Sequence, residues 1–320
     1  MSNENLPELT EEMCNGLLEC TADELADHEE WVHSTSVPFT FHWEDADDSV
    51  KICHWDDNWE AFIAQRAALI DAEGRNRHLP WNLYKSLGLN WLDGYNFIQR
   101  IGNCAGHSHK NAGKTSSLSN AMRSGRQPRE IALCVTYGIA RGNGTMRMGS
   151  GLNLNPMSRW AATVGNFWTS DFGRYNGGRN VGQWRNPTFR QHALRTQSII
   201  VPLPAPSFDF VYRACAAGFG INMGTHIFPT SARVNSDNLA VPRDWRRGNH
   251  AMAFLASHKG VTTGRPYVYL ENSHGARYVA DSLHQGNQHG LHIDEEAFRQ
   301  MASNNPFRFG TWYVNLMEMG

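Results

Sequence analysis

The sequence predicts an α+β fold, and three observations carry that reading. Helical spacing of apolar residues concentrates in the first half of the 320 residues, and strand-like runs concentrate in the second. Gly (29) and Pro (13) are too frequent for a helical bundle. A hydrophobic fraction of 41%, with 11 Trp, 15 Phe and 9 Tyr, supplies a real core and excludes global disorder.

Taken in order, Leu9 to about Trp31 reads as one or two short helices, with Thr21-Ala22-Asp23-Glu24 at capping-box spacing. Trp59, Phe62, Ile63 and Ile70 fall on one helical face, and Gly74 is a stop. Residues 1–78 are read as an N-terminal extension, partly helical, and residues 79–320 as the main domain. A loop-like stretch from His78 to Asn103 leads into a helix that begins near Cys104 and runs toward Met122, ending before Gly125. Ile131–Ile139 is a buried strand or helix segment, which periodicity does not decide. Asn155-Pro156 is a cap and first-turn proline, followed at helical spacing by Met157, Trp160, Ala161, Val164, Phe167 and Trp168. Ser198–Leu203, Ala251–Ser257, Tyr267–Glu271 and Thr311–Glu318 read as strands.

The charge is divided along the chain. Residues 1–60 hold 17 acidic side chains and one basic one, for −16, and the remainder holds 14 acidic and 28 basic, for +14. This suits docking of the acidic head (residues 1–60) on the basic body or onto an assembly partner; a solvated acidic face explains it equally well. Arg243–Arg247 reads as a solvated loop beside a cleft rather than a nucleic-acid contact. No run reaches the roughly 18 apolar residues of a membrane span, and the acidic start lacks the pattern of a secretory signal. The six cysteines show no CxxC pair and read as reduced thiols, consistent with a cytoplasmic or virion-associated location. His107 and His109, and His284, His289 and His292, lack the spacing of a structural zinc site. Neither a metal nor another cofactor is expected.

The chemistry lies elsewhere. A thiol attacks a carbonyl as thiolate, helped by an imidazole or a helix N-terminus, and the imidazole needs a third polar group to orient it. Gly102-Asn103-Cys104-Ala105-Gly106 is a loop running into a helix. Asn249-His250-Ala251-Met252 opens one strand, and Asn272-Ser273-His274-Gly275 ends the next, so a hairpin can set His250 beside Asn272. Individually each has a plainer reading: a buried small thiol, a core histidine, a turn asparagine. Cys134 and Cys215, in apolar surroundings, are read as such buried thiols.

In this order the motifs resemble those of the papain-like cysteine peptidases, whose Gly-Ser-Cys-Trp-Ala, His-Ala-Val and Asn-Ser-Trp-Gly signatures are similar to Gly102–Ala105, His250–Met252 and Asn272–Gly275. The segment Trp160–Tyr175 also resembles the helix that precedes the family's Tyr-Pro-Tyr segment. The resemblance implies a two-lobed fold, with a helical lobe at about 79–195 and an antiparallel β-barrel-like lobe at about 196–320. It implies acyl transfer to a polypeptide or other amide substrate, with Cys104 as nucleophile, His250 as base and Asn272 as orienter. Gln99 and the Cys104 N–H would hold the oxyanion, and Asn103 and His274 would border the cleft. The chain departs from the family at three places. Ala105 follows the cysteine where the family has Trp, His274 replaces the shielding indole, and Gln99 lies five rather than six residues before Cys104. These departures carry the alternative expectation, a papain-fold structural or interaction protein without catalysis, for example a component of a phage virion.

Overall fold

The computed structural model describes residues 102–124, 198–202, 207–275, 277–280, 289–303 and 313–317, with single positions elsewhere. The acidic extension, Gln99, Cys134, His284 and the segment Trp160–Tyr175, apart from single positions, lie outside the described residues.

The frame is one six-stranded antiparallel sheet. Its strands are β1 (Ser198–Pro202), β2 (Gly220–Val234), β3 (Ala240–Lys259), β4 (Pro266–Glu271), β5 (Gly290–Ile293) and β6 (Tyr313–Met317). They lie in the order β1-β6-β2-β3-β4-β5, so β2 to β5 form a meander and the last strand returns beside β2. Three helices among the described residues pack on it: α1 (Cys104–Ser124), α2 (Phe208–Ala216) and α3 (Glu295–Ser303). The α+β class stands.

The apolar core joins α2 and α3 to the sheet. Phe208, Phe210, Val211 and Ala214 of α2 pack with Phe298 and Met301 of α3 and with Ile221, Met223, Met252, Phe254, Val268, Leu270, Leu291 and Ile293. Both helices carry start signals. Ser207 accepts a hydrogen bond from the Phe210 N–H at 3.1 Å, and Asp294 does the same for Ala297 at 3.0 Å. Asp209, Glu295 and Glu296 place negative charge in the first turns.

α1 is different, because its buried side chains are mostly polar. His107, Ser108, His109, Lys110, Asn111, Lys114, Thr115, Ser116 and Ser117 are all buried. Hydrogen bonds and one ion pair, rather than an apolar stripe, make this tolerable. Ser108 Oγ donates to Met252 O of β3 at 2.5 Å and lies 3.1 Å from Asn222 Oδ1 of β2. Asn111 Nδ2 donates to Glu271 Oε1 of β4 at 3.4 Å, and Lys110 pairs with Glu130 at 2.8 Å. The small residues let backbones meet. A Cβ on Gly220 would sit 2.3 Å from the Ala112 carbonyl oxygen.

The structure differs from the sequence reading in four places. First, two helices that the sequence pattern does not mark, α2 and α3, lie in the second half among the strands. Second, β3 begins at Ala240, so Arg243–Arg247 is strand rather than loop, and His250 is interior to the strand rather than at its opening. The extra length is a β2–β3 ribbon that is largely half-buried or exposed, and charged residues there hide the strand pattern. Third, β2 escaped notice because Pro229 interrupts it; the register shifts between Pro229 and Ser231, where a strand tolerates proline. Fourth, β5 is too short, at four residues, to show a pattern.

The Ala112–Gly220 approach makes a clear stability prediction. Gly220→Ala should destabilise the fold by about 3 kcal/mol or more, because the clash is with backbone and no rotamer relieves it. Thermal or urea unfolding of the purified variant measures this.

Candidate active site

Asn103 precedes α1, and its carbonyl accepts the first helical hydrogen bond, from the His107 N–H at 3.2 Å. Cys104 is therefore the first helical residue, at the positive end of the helix dipole, which favours a thiolate. It is in no disulfide and is fully buried, at 0% exposure. The Asn103 side chain does not cap the helix: both its amide nitrogen and its oxygen are buried without a hydrogen-bond partner.

His250 lies in β3 two residues before Met252, whose carbonyl holds Ser108 of α1. The first turn of α1 and the His250 segment of β3 are thus bound to one another. The His107 ring is close enough for His250 to act on its protonation. Antiparallel pairing of β3 and β4 then brings in the third residue. His250 Nε2 meets Asn272 Oδ1 at 2.7 Å, both buried. The hairpin expected from a spacing of 22 residues does this.

The imidazole is enclosed by two rings. His274 stacks on it at 4.3 Å between centroids with 19° between planes, and Phe228 of β2 lies tilted at 4.7 Å. His274, where the resembled family carries an indole, thus covers the His250 ring. Phe228 was missed in the sequence, since one Phe in a strand broken by Pro229 gives no catalytic signal.

Burial dominates the electrostatics. It holds His250 at about 4, against an ordinary 6.5, while the Asn272 hydrogen bond acts the other way. His107 is pushed down to about 3 by burial and then by the Lys110 and His250 charges, and His109 to about 4 despite its bond to Asn166. Burial also pushes the Cys215 thiol far up, as befits the inert core thiol expected there.

The structure therefore brings His250 of β3 together with Asn272 and His274 just after β4, and α1, with Asn103 and Cys104 at its start, is hydrogen-bonded to the same strands. Gln99 lies outside the described residues. His292 Nδ1 bonds His258 Nε2 at 2.6 Å, and the His289 backbone carbonyl accepts the Asn272 N–H at 2.9 Å, while His284 lies outside the described residues. Among the described residues no group of three or more His, Cys, Asp or Glu side chains is placed to hold a metal ion. Among them, too, no helix is long and apolar enough to cross a membrane.

No protein-family model matches the chain, and neither does any curated protein sequence. Solved structures to which it is similar include many papain-like cysteine proteases. They include xylellain of Xylella fastidiosa (11% identity, TM-score 0.43, 69% of this chain and 82% of that one). The cysteine protease and lectin-like domains of Cwp84 from Clostridium difficile also match (11%, TM-score 0.47, 74% and 51%). So does the proform of the ragweed pollen protease Amb a 11 (11%, TM-score 0.42, 71% of this chain), of which the chain spans 64%. Likeness this slight carries no weight for chemistry, which rests on the residues themselves.

The buried histidines make stability depend on acid. His250, His107, His109 and His289 are all held below 6.5 in the fold, so the unfolded chain binds protons that the native chain refuses. Stability should be full above about pH 6.5 and fall steadily toward pH 4, a loss that melting temperatures measured across this range will show.

Proposed function

We propose that the chain is a cysteine peptidase or related amide hydrolase that works by acyl transfer. The observation that carries the reading is the 2.7 Å bond between His250 Nε2 of β3 and Asn272 Oδ1 at the end of β4, two strands bound to the helix that Cys104 opens. An oriented imidazole and a thiol at a helix N-terminus are the two groups that together activate a cysteine.

In the mechanism, Cys104 Sγ attacks the substrate carbonyl carbon while its proton passes to His250 Nδ1. With its imidazole held at about 4, His250 is neutral at neutral pH and so is free to take the thiol proton during attack. The oxyanion meets the Cys104 N–H at the helix start; Gln99, expected as a second donor, lies outside the described residues. The imidazolium then protonates the leaving amine, the C–N bond breaks and a thioester remains. Water, deprotonated by His250, attacks the thioester and regenerates the thiol, and the carboxylate leaves.

A second reading draws on burial. Cys104 and His250 both have 0% exposure, so no carbonyl reaches the sulfur in this conformation. A scaffold that keeps the papain-like constellation for assembly rather than catalysis would look the same.

Alkylation separates the two. At pH 7, iodoacetamide should label Cys104 well ahead of Cys215, as peptide mass mapping reads. Cys104→Ala should reduce hydrolysis of a casein or peptide-amide panel by about a thousandfold or more. A Cys104 labelled no faster than Cys215, together with no hydrolysis that depends on it, would favour the scaffold. For the active enzyme, kcat/KM should fall as pH drops through about 4, where His250 takes up the proton it must be free to accept.

A further inference from the structure

Beside the three proposed catalytic residues lies a buried tyrosine that the mechanism has not used. Tyr278, six residues beyond Asn272, is 4% exposed, and its hydroxyl touches two groups. It donates to the Pro229 carbonyl of β2 at 3.0 Å, and it accepts from Asn272 Nδ2 at 2.7 Å.

The direction of each bond is forced. A carbonyl only accepts, so the Tyr278 proton goes to Pro229 O. The phenol oxygen is left as acceptor and draws the Asn272 NH₂ toward itself. That sets Asn272 Oδ1 toward His250, and the Ser273 N–H at 2.7 Å agrees, since it too needs an oxygen there. Turning the amide over would set Nδ2 against the Ser273 N–H, donor against donor, and leave Pro229 O without the hydroxyl. Oδ1 has no proton to give, so His250 Nε2 must carry the hydrogen. The lone pair is then on Nδ1, a buried atom with no hydrogen-bond partner of its own. Burial also pushes the Tyr278 phenol up, so it keeps the proton on which the sequence of bonds depends.

We propose that Tyr278 is a positioning residue whose hydroxyl, anchored on Pro229, fixes the Asn272 amide and thereby holds His250 in the Nε2–H tautomer with Nδ1 as the base. The inference rests on the reading of Cys104 and His250 as nucleophile and base. Tyr278 touches no reacting atom and acts through Asn272. Three segments meet in it: β2 at Pro229, the turn after β4, and β3 at His250.

The test uses the full chain labelled with ¹⁵N-histidine, at pH 7. Two-bond ¹H–¹⁵N correlation reads the ring tautomers, and a His250→Gln variant identifies the His250 signals. The wild type should show His250 protonated on Nε2 alone; protonation on Nδ1 would overturn the proposal, whatever any variant does. Tyr278→Phe should shift His250 to a mixture of tautomers and slow Cys104 alkylation by about tenfold, in the range seen when outer partners of a site residue are lost. A Tyr278→Phe protein that keeps a pure Nε2–H tautomer would also overturn it. If wild-type Cys104 proves unreactive while the tautomer responds as stated, the hydrolase reading fails and the hydrogen-bond order stands. The two are therefore judged separately.

Discussion

The site depends on one hydrogen bond, from His250 Nε2 to Asn272 Oδ1. An imidazole has two nitrogens and can serve as a base at only the one without the proton, so whatever decides the tautomer decides whether the histidine can act. Antiparallel pairing of β3 with β4 brings the two residues together. Their orientation is settled one step further out, at Ser273, Tyr278 and Pro229. Phe228 and His274 then enclose the ring. That enclosure has a cost, since it takes the imidazole out of water and pulls its proton affinity down.

The same trade is repeated in α1. Most helices that lie buried against a sheet do so with an apolar face, yet this one buries His, Ser, Lys, Asn and Thr. Each such group must find a partner or destabilise the fold. Ser108 finds Met252 O and Asn222, Asn111 finds Glu271, and Lys110 finds Glu130. These bonds fix the helix on the strands that carry His250 and Asn272, so the polar burial sets the register of the site. Asn103, just before the helix, differs. Its amide is buried with no hydrogen-bond partner, directly before Cys104, and a native fold tolerates such a group most readily where function uses it.

Much of this was legible in the sequence. The loop-to-helix step at Cys104, the strands at Ser198, Tyr267 and Thr311, and the pairing of His250 with Asn272 all follow from local pattern and a spacing of 22 residues. What was not legible had physical reasons. The β2–β3 ribbon exposes Arg233, Arg243 and Arg247 to water, so no apolar alternation marks it. Pro229 spoils the strand signal of β2 yet supplies the carbonyl that holds Tyr278. Tyr278 itself stands in a turn, where a side chain's partners are set by tertiary folding and leave no periodic trace. The caps at Ser207 and Asp294, by contrast, are sequence signals that mark the starts of α2 and α3.

The central claim is that Cys104 and His250 together form and resolve an acyl-enzyme. Trapping that species tests it most directly: the full chain is mixed with an activated ester such as p-nitrophenyl acetate, quenched in acid within seconds, and weighed intact and after digestion. The account predicts one acetyl group on Cys104 in the wild type and none above background in His250→Gln. Acylation that spares Cys104, or that reaches it equally in the absence of the histidine, would contradict it.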